Sequence, residues 1–167
     1  MKAIAVPTFT PVGANDYRDR NGNGNGAPIV AAIDGSSASH AAAETAVQLG
    51  AELHAPVVFV HVRRGPAGFF GSPVYQRRLT KAMARARGVL DGALALAAQA
   101  GVPAEGEILE GTPQTRIPEF AHDRGARLVI VGSRKRRLGR SVSRAIAHVA
   151  ERPVVVTRSA ERFALTR

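Results

Sequence analysis

Residues 29–37 read IVAAIDGSS, a run of apolar residues that stops abruptly at a polar turn. Apolar side chains at consecutive positions are typical of a strand that is covered on both faces of a parallel sheet. The pair Asp34-Gly35 favours a turn, and the hydroxyl of Ser36 or Ser37 can cap the helix that follows. This stretch therefore predicts the first strand, turn and helix of an α/β domain.

The same alternation of short apolar runs and amphipathic stretches continues along the chain after this first unit. Alternating strands and helices are the pattern of βαβ units around a parallel sheet. The sequence therefore predicts the α/β class, with a doubly wound open parallel sheet and helices on both faces. The predicted strands cover residues 29–33, 56–62, 103–109, 127–131 and 154–157, and the predicted helices cover 38–53, 75–100, a segment from 113 onward, and 140–150.

Two helices need separate predictions. Thr112 is expected to be the N-cap of the third helix and Pro113 its first residue, but Pro118 follows inside the same segment. A proline in a helix removes one backbone hydrogen bond, so this helix is expected either to kink or to start late. In the fourth helix, spacing by three and four predicts a buried stripe. That stripe consists of Val142, Ala145, Ile146 and Val149.

The sequence divides into an arm, a domain and a tail. Residues 1–27 end in an Asn-Gly repeat that has nothing to bury, so they are predicted to be a flexible arm. Residues 28–158 are predicted to form the α/β domain, and residues 159–167 a C-terminal tail. The absence of cysteine and of a long apolar run near the N-terminus leads us to expect a cytoplasmic protein, with no membrane partner.

The chain is basic, with 23 Lys and Arg against 13 Asp and Glu and a formal net charge of +10. Six cations fall in one short segment, which suggests a patch that contacts phosphate, although a solvated surface would explain them as well. The chain has only six Phe and two Tyr, and none lies among these cations to stack on bases, so nucleic acid is an unfavoured partner. The six are Arg134, Lys135, Arg136, Arg137, Arg140 and Arg144.

Five fragments in the same order resemble the universal stress protein family, and the resemblance extends over residues 28 to about 158. Each fragment alone is a weak signal, but five in register are specific. They are VAAIDGS at 30–36, FVHV at 59–62, EGTP at 110–113, LVIVGSR at 128–134 and RPVVV at 152–156.

The resemblance implies a five-stranded parallel sheet of order 3-2-1-4-5 and a homodimer that pairs the last strands across a two-fold axis. It also implies an ATP site in some members, with an Asp after the first strand on the adenosine and a glycine-rich stretch around the phosphates. On this basis Asp34 matches the adenosine contact, Val62 or its neighbour a backbone contact from the second strand, and Gly132 and Ser141 the two ends of the glycine-rich stretch.

The glycine-rich stretch departs from the family pattern. Lys135 and Arg140 stand where that pattern has glycines, and the loop is about five residues shorter. A side chain at these positions obstructs the close approach of backbone N–H groups to phosphate, although Gly139 recovers part of the pattern if the alignment shifts by one residue. Arg134, Lys135 and Arg140 at a helix N-terminus would still attract an anion. We therefore expect that the site attracts phosphate but binds ATP weakly or not at all.

Simpler interpretations exist for several of these residues. Asp34 beside Gly35 is also a common turn pair, Ser141 can serve only as a helix cap, and Ser143 can be a surface serine. The five histidines lack the spacing of a helical zinc site, so no metal is predicted.

The sequence favours a non-catalytic domain that acts by dimerisation and by binding a nucleotide or another anionic metabolite. It contains no Walker A motif, no Gly-x-Gly-x-x-Gly turn and no Gly-x-Ser-x-Gly nucleophile elbow. Two alternatives remain open at this point: an ATP-binding protein with slow hydrolysis or phosphotransfer, and a nucleic-acid accessory protein.

Overall fold

The computed structural model describes residues 26–65, 72–133 and 142–158. The predicted arm at 1–27 and tail at 159–167 lie almost entirely outside this part of the chain. The elements in chain order are β1 (Ile29–Ala32), α1 (Ser37–Leu53), β2 (Val57–Arg63), α2 (Pro73–Gln99), β3 (Ala104–Glu110), α3 (Pro113–Asp123), β4 (Leu128–Ser133), α4 (Val142–Val149) and β5 (Val154–Arg158).

All five strands are parallel, and their order across the sheet is β3-β2-β1-β4-β5. The predicted fold class and strand order are therefore confirmed. β1 is central because its apolar residues can be covered on both faces: Ile29 and Val30 are fully buried, and Ile29 is aligned with Val57 of β2 and Leu128 of β4. Strand order reverses between β1 and β4, which opens a crevice at their carboxyl ends.

The sheet separates two apolar cores. On one face, Phe59 and Ile130 pack with small side chains of α1, such as Ala42 and Ala46, and with Leu90 of α2. On the other face, the side chains of β2 and β4 pack against α3 and α4. Alternate residues of each strand supply the two cores, which is why the strand sequences are apolar at nearly every position.

The predicted end of β4 is wrong. β4 does not stop at Val131 but continues to Ser133, where Gly132 is aligned with Thr157 of β5, so Gly132 belongs to a strand and not to the predicted loop. The third helix begins at Pro113 with Thr112 as its N-cap, as predicted, and it runs through Pro118 without the late start that was one of the two alternatives. It tolerates Pro118 at the cost of the backbone hydrogen bond that the missing N–H would have made.

The buried stripe predicted for α4 is also wrong in part. Val142 and Val149 are exposed, Val149 at 60%, whereas Ile146 and Ser143 are buried. Two overlapping sets of residues satisfy a spacing of three and four, namely 142, 146 and 149, and 143, 146 and 150. The sequence pattern could therefore not show which set is buried. The helix packs against α3, β4 and β5, and Ile146 is the apolar residue that it buries in the core on this face of the sheet.

α2 is the longest helix, and its buried residues all lie in its second half, from Ala86 onward. Its outer surface carries Gly88 and Gly92, and nothing lies within 4 Å of a Cβ added at either position. Gly101 follows the helix with φ +66°, the left-handed conformation that glycine favours at a helix end. The helix therefore ends within one residue of the end predicted at residue 100.

We expect Gly88→Ala and Gly92→Ala each to raise the free energy of unfolding by about 0.5–1 kcal/mol, because glycine inside a helix costs that much relative to alanine. Urea denaturation measures the change. Gly101→Ala is the matched control: its added Cβ also meets open space, but at positive φ, so it should destabilise the protein. Equal effects of all three substitutions would contradict this explanation.

No helix in the three described ranges is both long and apolar enough to cross a membrane.

Candidate functional site

A cavity of about 220 Å³ opens at the carboxyl ends of β1, β2 and β4, beside the first turns of α1, α3 and α4. This is the crevice where ligands bind in doubly wound sheets. Its wall is mostly apolar, and its polar groups come from the ends of strands and the starts of helices. The lining residues are Ala32, Ile33, Asp34, Ser36, Ser39, Val60, Val62, Pro113, Ile117, Val131, Gly132, Val142, Ser143 and Ile146.

Asp34 lies on the exposed rim of this cavity and also organises the turn after β1. Its Oδ1 accepts a hydrogen bond from the backbone N–H of Ser36 at 3.0 Å, while Gly35 adopts φ +80°. Ser36 is the N-cap of α1, as predicted, and its Oγ accepts from the N–H of Ser39 at 3.2 Å. One carboxylate therefore shapes the turn and borders the cavity, and its contact with adenosine stays a prediction.

Gly132 is fixed by packing. A Cβ at this position would lie 2.3 Å from the backbone O of Ala38 and 2.8 Å from the N of Ser39, closer than real Cβ contacts. β4 thus passes directly under the first turn of α1, and only glycine allows the approach. The glycine that matches the family's phosphate-binding stretch has a structural reason to be glycine even without a ligand.

The wall beside β2 is formed by Val60 and Val62, so Val62 lies where the resemblance placed it. The neighbouring His61 donates from Nδ1 to the backbone O of Ile33 at 2.9 Å, since a carbonyl oxygen can only accept. This bond ties the end of β2 to the end of β1. Arg63, the next candidate along β2, is not part of the lining and pairs instead with Glu110 of β3.

Ser143 does not fit the simpler interpretation as a surface serine. It is only 4% exposed and lies on the cavity wall, so it is not a surface serine. Its neighbours Pro113 and Ile117, from the start of α3, also line the cavity and were not predicted as site residues. A serine in the first turn of a helix could have suggested this position, because such residues lie at the carboxyl edge of the sheet.

The remaining predicted site residues lie outside the described part of the chain. They are Arg134, Lys135, Gly139, Arg140 and Ser141. They belong to the segment that joins Gly132 and Ser133 to Val142, and both Gly132 and Val142 line the cavity. Among the described residues, no group of three or more His, Asp or Glu side chains is placed to hold a metal ion.

Comparisons with known proteins agree on one family. A sequence model of the universal stress protein family matches residues 27–158. The universal stress protein YxiE of Bacillus subtilis is 30% identical over 144 residues, which cover 78% of this chain and 97% of that protein. Two solved structures from Archaeoglobus fulgidus share the fold. The first is a universal stress protein with a TM-score of 0.65 and 25% sequence identity, and the match covers 78% of this chain and 93% of that chain. The second is a universal stress protein in complex with dAMP, with a TM-score of 0.62 and 24% identity, and the match covers 78% of this chain and 97% of that chain.

Proposed function

The chain belongs to the universal stress protein family, and we propose that it is a non-catalytic member that binds an adenine nucleotide weakly in the carboxyl-edge cavity and acts as a homodimer. The observation that carries the nucleotide proposal is the combination, among the described lining residues, of an apolar wall and the carboxylate of Asp34 at the crevice between β1 and β4. A family member of the same fold is described in complex with dAMP.

The chemistry of the cavity suits a nucleoside. The side chains of Val60, Val62 and Ile117 offer apolar surface to a flat base. Asp34 accepts hydrogen bonds, and the exocyclic amine and the sugar hydroxyls of adenosine donate them. The volume of about 220 Å³ lies below the roughly 300–1,000 Å³ of ordinary ligand pockets, so the described residues suit the nucleoside better than a whole triphosphate.

The phosphates would then depend on residues 134–141, where Lys135 and Arg140 replace glycines of the family pattern. Cations attract phosphate, but a close cradle of backbone N–H groups needs residues without a Cβ. We therefore propose that nucleotides bind weakly and that each added phosphate raises the affinity only a little.

Hydrolysis or phosphotransfer is the second candidate, and the described site supports it less. Mg²⁺ at a phosphate site is usually held by one or two carboxylates together with the phosphates. Asp34 is the only carboxylate among the described lining residues, and it is already engaged in the turn after β1.

Calorimetry with adenosine, AMP and ATP tests the nucleotide proposal. We expect dissociation constants of about 0.1 mM or weaker for AMP and ATP, and Asp34→Asn should weaken binding about tenfold, since it removes a charge-assisted acceptor. Asparagine keeps the Oδ1 that accepts from Ser36, so the turn should remain. Asp91→Asn, an exposed acid of α2, is the matched control and should have no effect.

Three results would contradict the proposal. No heat with any nucleoside at millimolar concentration would exclude a nucleotide site. Binding that is equal for ATP and inorganic phosphate and indifferent to Asp34→Asn would indicate a bare anion patch. Steady turnover of ATP with added Mg²⁺ would favour the catalytic alternative.

The dimer proposal rests on the border of the sheet formed by β5. Among the described residues, β5 pairs with β4 alone, which leaves one side of the strand without a neighbour. The backbone O of Pro153 accepts a hydrogen bond from the N–H of Val129 in β4. Because successive residues of a strand direct their backbone N–H and C=O groups to opposite sides, those of Val154 and Val156 point away from β4. An apolar strand with a free side is a template for pairing with another chain.

The exposed apolar side chains also favour the β5 edge of the sheet as the dimer interface. The described part of the chain has four large apolar residues that are exposed. Two of them, Val149 and Val156, belong to α4 and β5, whereas Val142 lines the cavity and Val74 belongs to α2. The opposite border differs, because β3 carries Glu105 and Glu107, both paired with Arg124. Charged side chains protect a strand from pairing, so β5 is the better interface.

A further inference from the structure

The first half of α2 carries an unusual concentration of positive charge. Arg77, Lys81 and Arg85 are all exposed and follow one another at intervals of four residues, so they form a single row along the helix. We call these three residues the α2 basic row. The row spans about 12 Å, and the only acid in the whole helix is Asp91.

This arrangement does not stabilise the helix. Like charges four residues apart cost about 0.2–0.5 kcal/mol per pair. Cations are favoured near the C-terminus of a helix, yet the last turn of α2 has none and the row lies toward the N-terminal end. Within the described ranges, none of the three cations forms an ion pair with a carboxylate.

The half of the helix that carries the row is also poorly buried. Every buried residue of α2 lies at or after Ala86, so the second half anchors the helix and the first half presents its outer surface to solvent. Gly88 and Gly92 on the outer surface have open space around them. A positively charged surface that no residue of the described ranges pairs with or buries is what an extended anion would contact.

We propose that the α2 basic row binds the phosphate backbone of double-stranded nucleic acid without sequence preference. Phosphate contacts need cations but no base-stacking aromatic platform, so the scarcity of aromatic residues argues against a sequence reader and not against this mode. Single strands are bound chiefly on such aromatic platforms, and the one aromatic residue of the helix, Tyr75, is half-buried.

A membrane surface fits this helix less well. Helices that lie in a lipid interface insert a broad apolar face among the acyl chains. The apolar face of α2 packs on the sheet through Leu90, Ala93 and Ala97, and the outer face offers one large apolar residue, Val74. Attraction to the row is therefore electrostatic, which suits phosphates arranged along a duplex.

The test is fluorescence anisotropy of the full-length protein with a labelled DNA duplex of about 20 base pairs, titrated at several salt concentrations between about 50 and 200 mM. We expect log affinity to fall linearly with log salt. Arg85→Gln should reduce the slope by about 1, and the combined Arg77→Gln, Lys81→Gln and Arg85→Gln variant by about 3. Arg127→Gln, an exposed arginine at the start of β4, is the matched control and should leave the slope unchanged.

Loss of DNA binding in these variants should not result from unfolding, because removing like charges from one helix face should keep or raise the thermal stability of the protein. A wild-type protein that does not bind the duplex would overturn the proposal, as would a triple variant that binds with an unchanged slope. Equal losses for Arg85→Gln and Arg127→Gln would show that net charge alone matters, which also overturns it. Loss of binding to anionic vesicles in the triple variant, with duplex binding intact, would assign the row to lipid instead. None of these results depends on the nucleotide cavity.

Discussion

Gly132→Ala is expected to lower the free energy of unfolding by about 3 kcal/mol, at the upper end of the range for overpacking a close contact. The new Cβ would lie 2.3 Å from the backbone O of Ala38 and 2.4 Å from its carbonyl carbon. Both are backbone atoms in the first turn of α1, so no flexible side chain can move aside. The strand or the helix must shift, and the melting temperature should fall by roughly 10 °C.

Gly88→Ala is the matched control, since it makes the same chemical change where nothing lies within 4 Å. Thermal and urea denaturation should separate the two variants in opposite directions. An unchanged melting temperature for Gly132→Ala would mean that β4 and α1 are farther apart than described. Any loss of nucleotide binding in this variant must be judged beside its stability, because Ser36 and Ser39 on the cavity wall belong to the turn that would move.

Val156→Lys is expected to convert the proposed dimer into a monomer, with the association constant reduced at least about 100-fold. A two-fold interface presents the same strand from both subunits, so each substitution places two lysines near one another in an apolar contact. Val156 is 42% exposed in the single chain, so the charge should be tolerated there before association. Val155 is less suitable because it packs against the core beside α1.

Sedimentation or light scattering at several protein concentrations measures this change. Val74→Lys is the matched control, since Val74 is similarly exposed, at 48%, but lies in α2, away from the β5 border. The control should leave the mass unchanged. A wild-type protein that is monomeric at tens of micromolar, or a Val156→Lys protein that remains a dimer, would refute pairing through β5.

The sequence was sufficient to predict the fold because strands such as Ile29–Ala32 are apolar at consecutive positions, and few architectures cover both faces of a strand. The N-cap at Ser36 could be predicted for a local reason, since its partner Ser39 is three residues away. α4 could not be placed correctly, because two overlapping stripes contain Ile146 and the choice depends on how the helix meets the sheet.

The candidate site likewise contains residues whose position could be predicted from the sequence and residues whose position could not. Asp34 and Val62 follow strands directly, so their position at the carboxyl edge could be predicted from the order of the elements. The burial of Ser143 depends on the rotation of α4, and the requirement for Gly132 depends on the distance between β4 and α1. Both are properties of packing between elements, of α4 against α3, β4 and β5 and of β4 against α1, which periodicity does not report.

The bond from His61 to Ile33 fixes which ring nitrogen carries a hydrogen. A carbonyl oxygen only accepts, so Nδ1 of His61 is the donor in this 2.9 Å bond. The backbone N–H of Ile33 in turn donates to the backbone O of Val60 at 2.9 Å. The last residue before the turn at Asp34 is therefore held to β2 twice, once through the backbone and once through a side chain, and the shape of the cavity wall depends on both bonds.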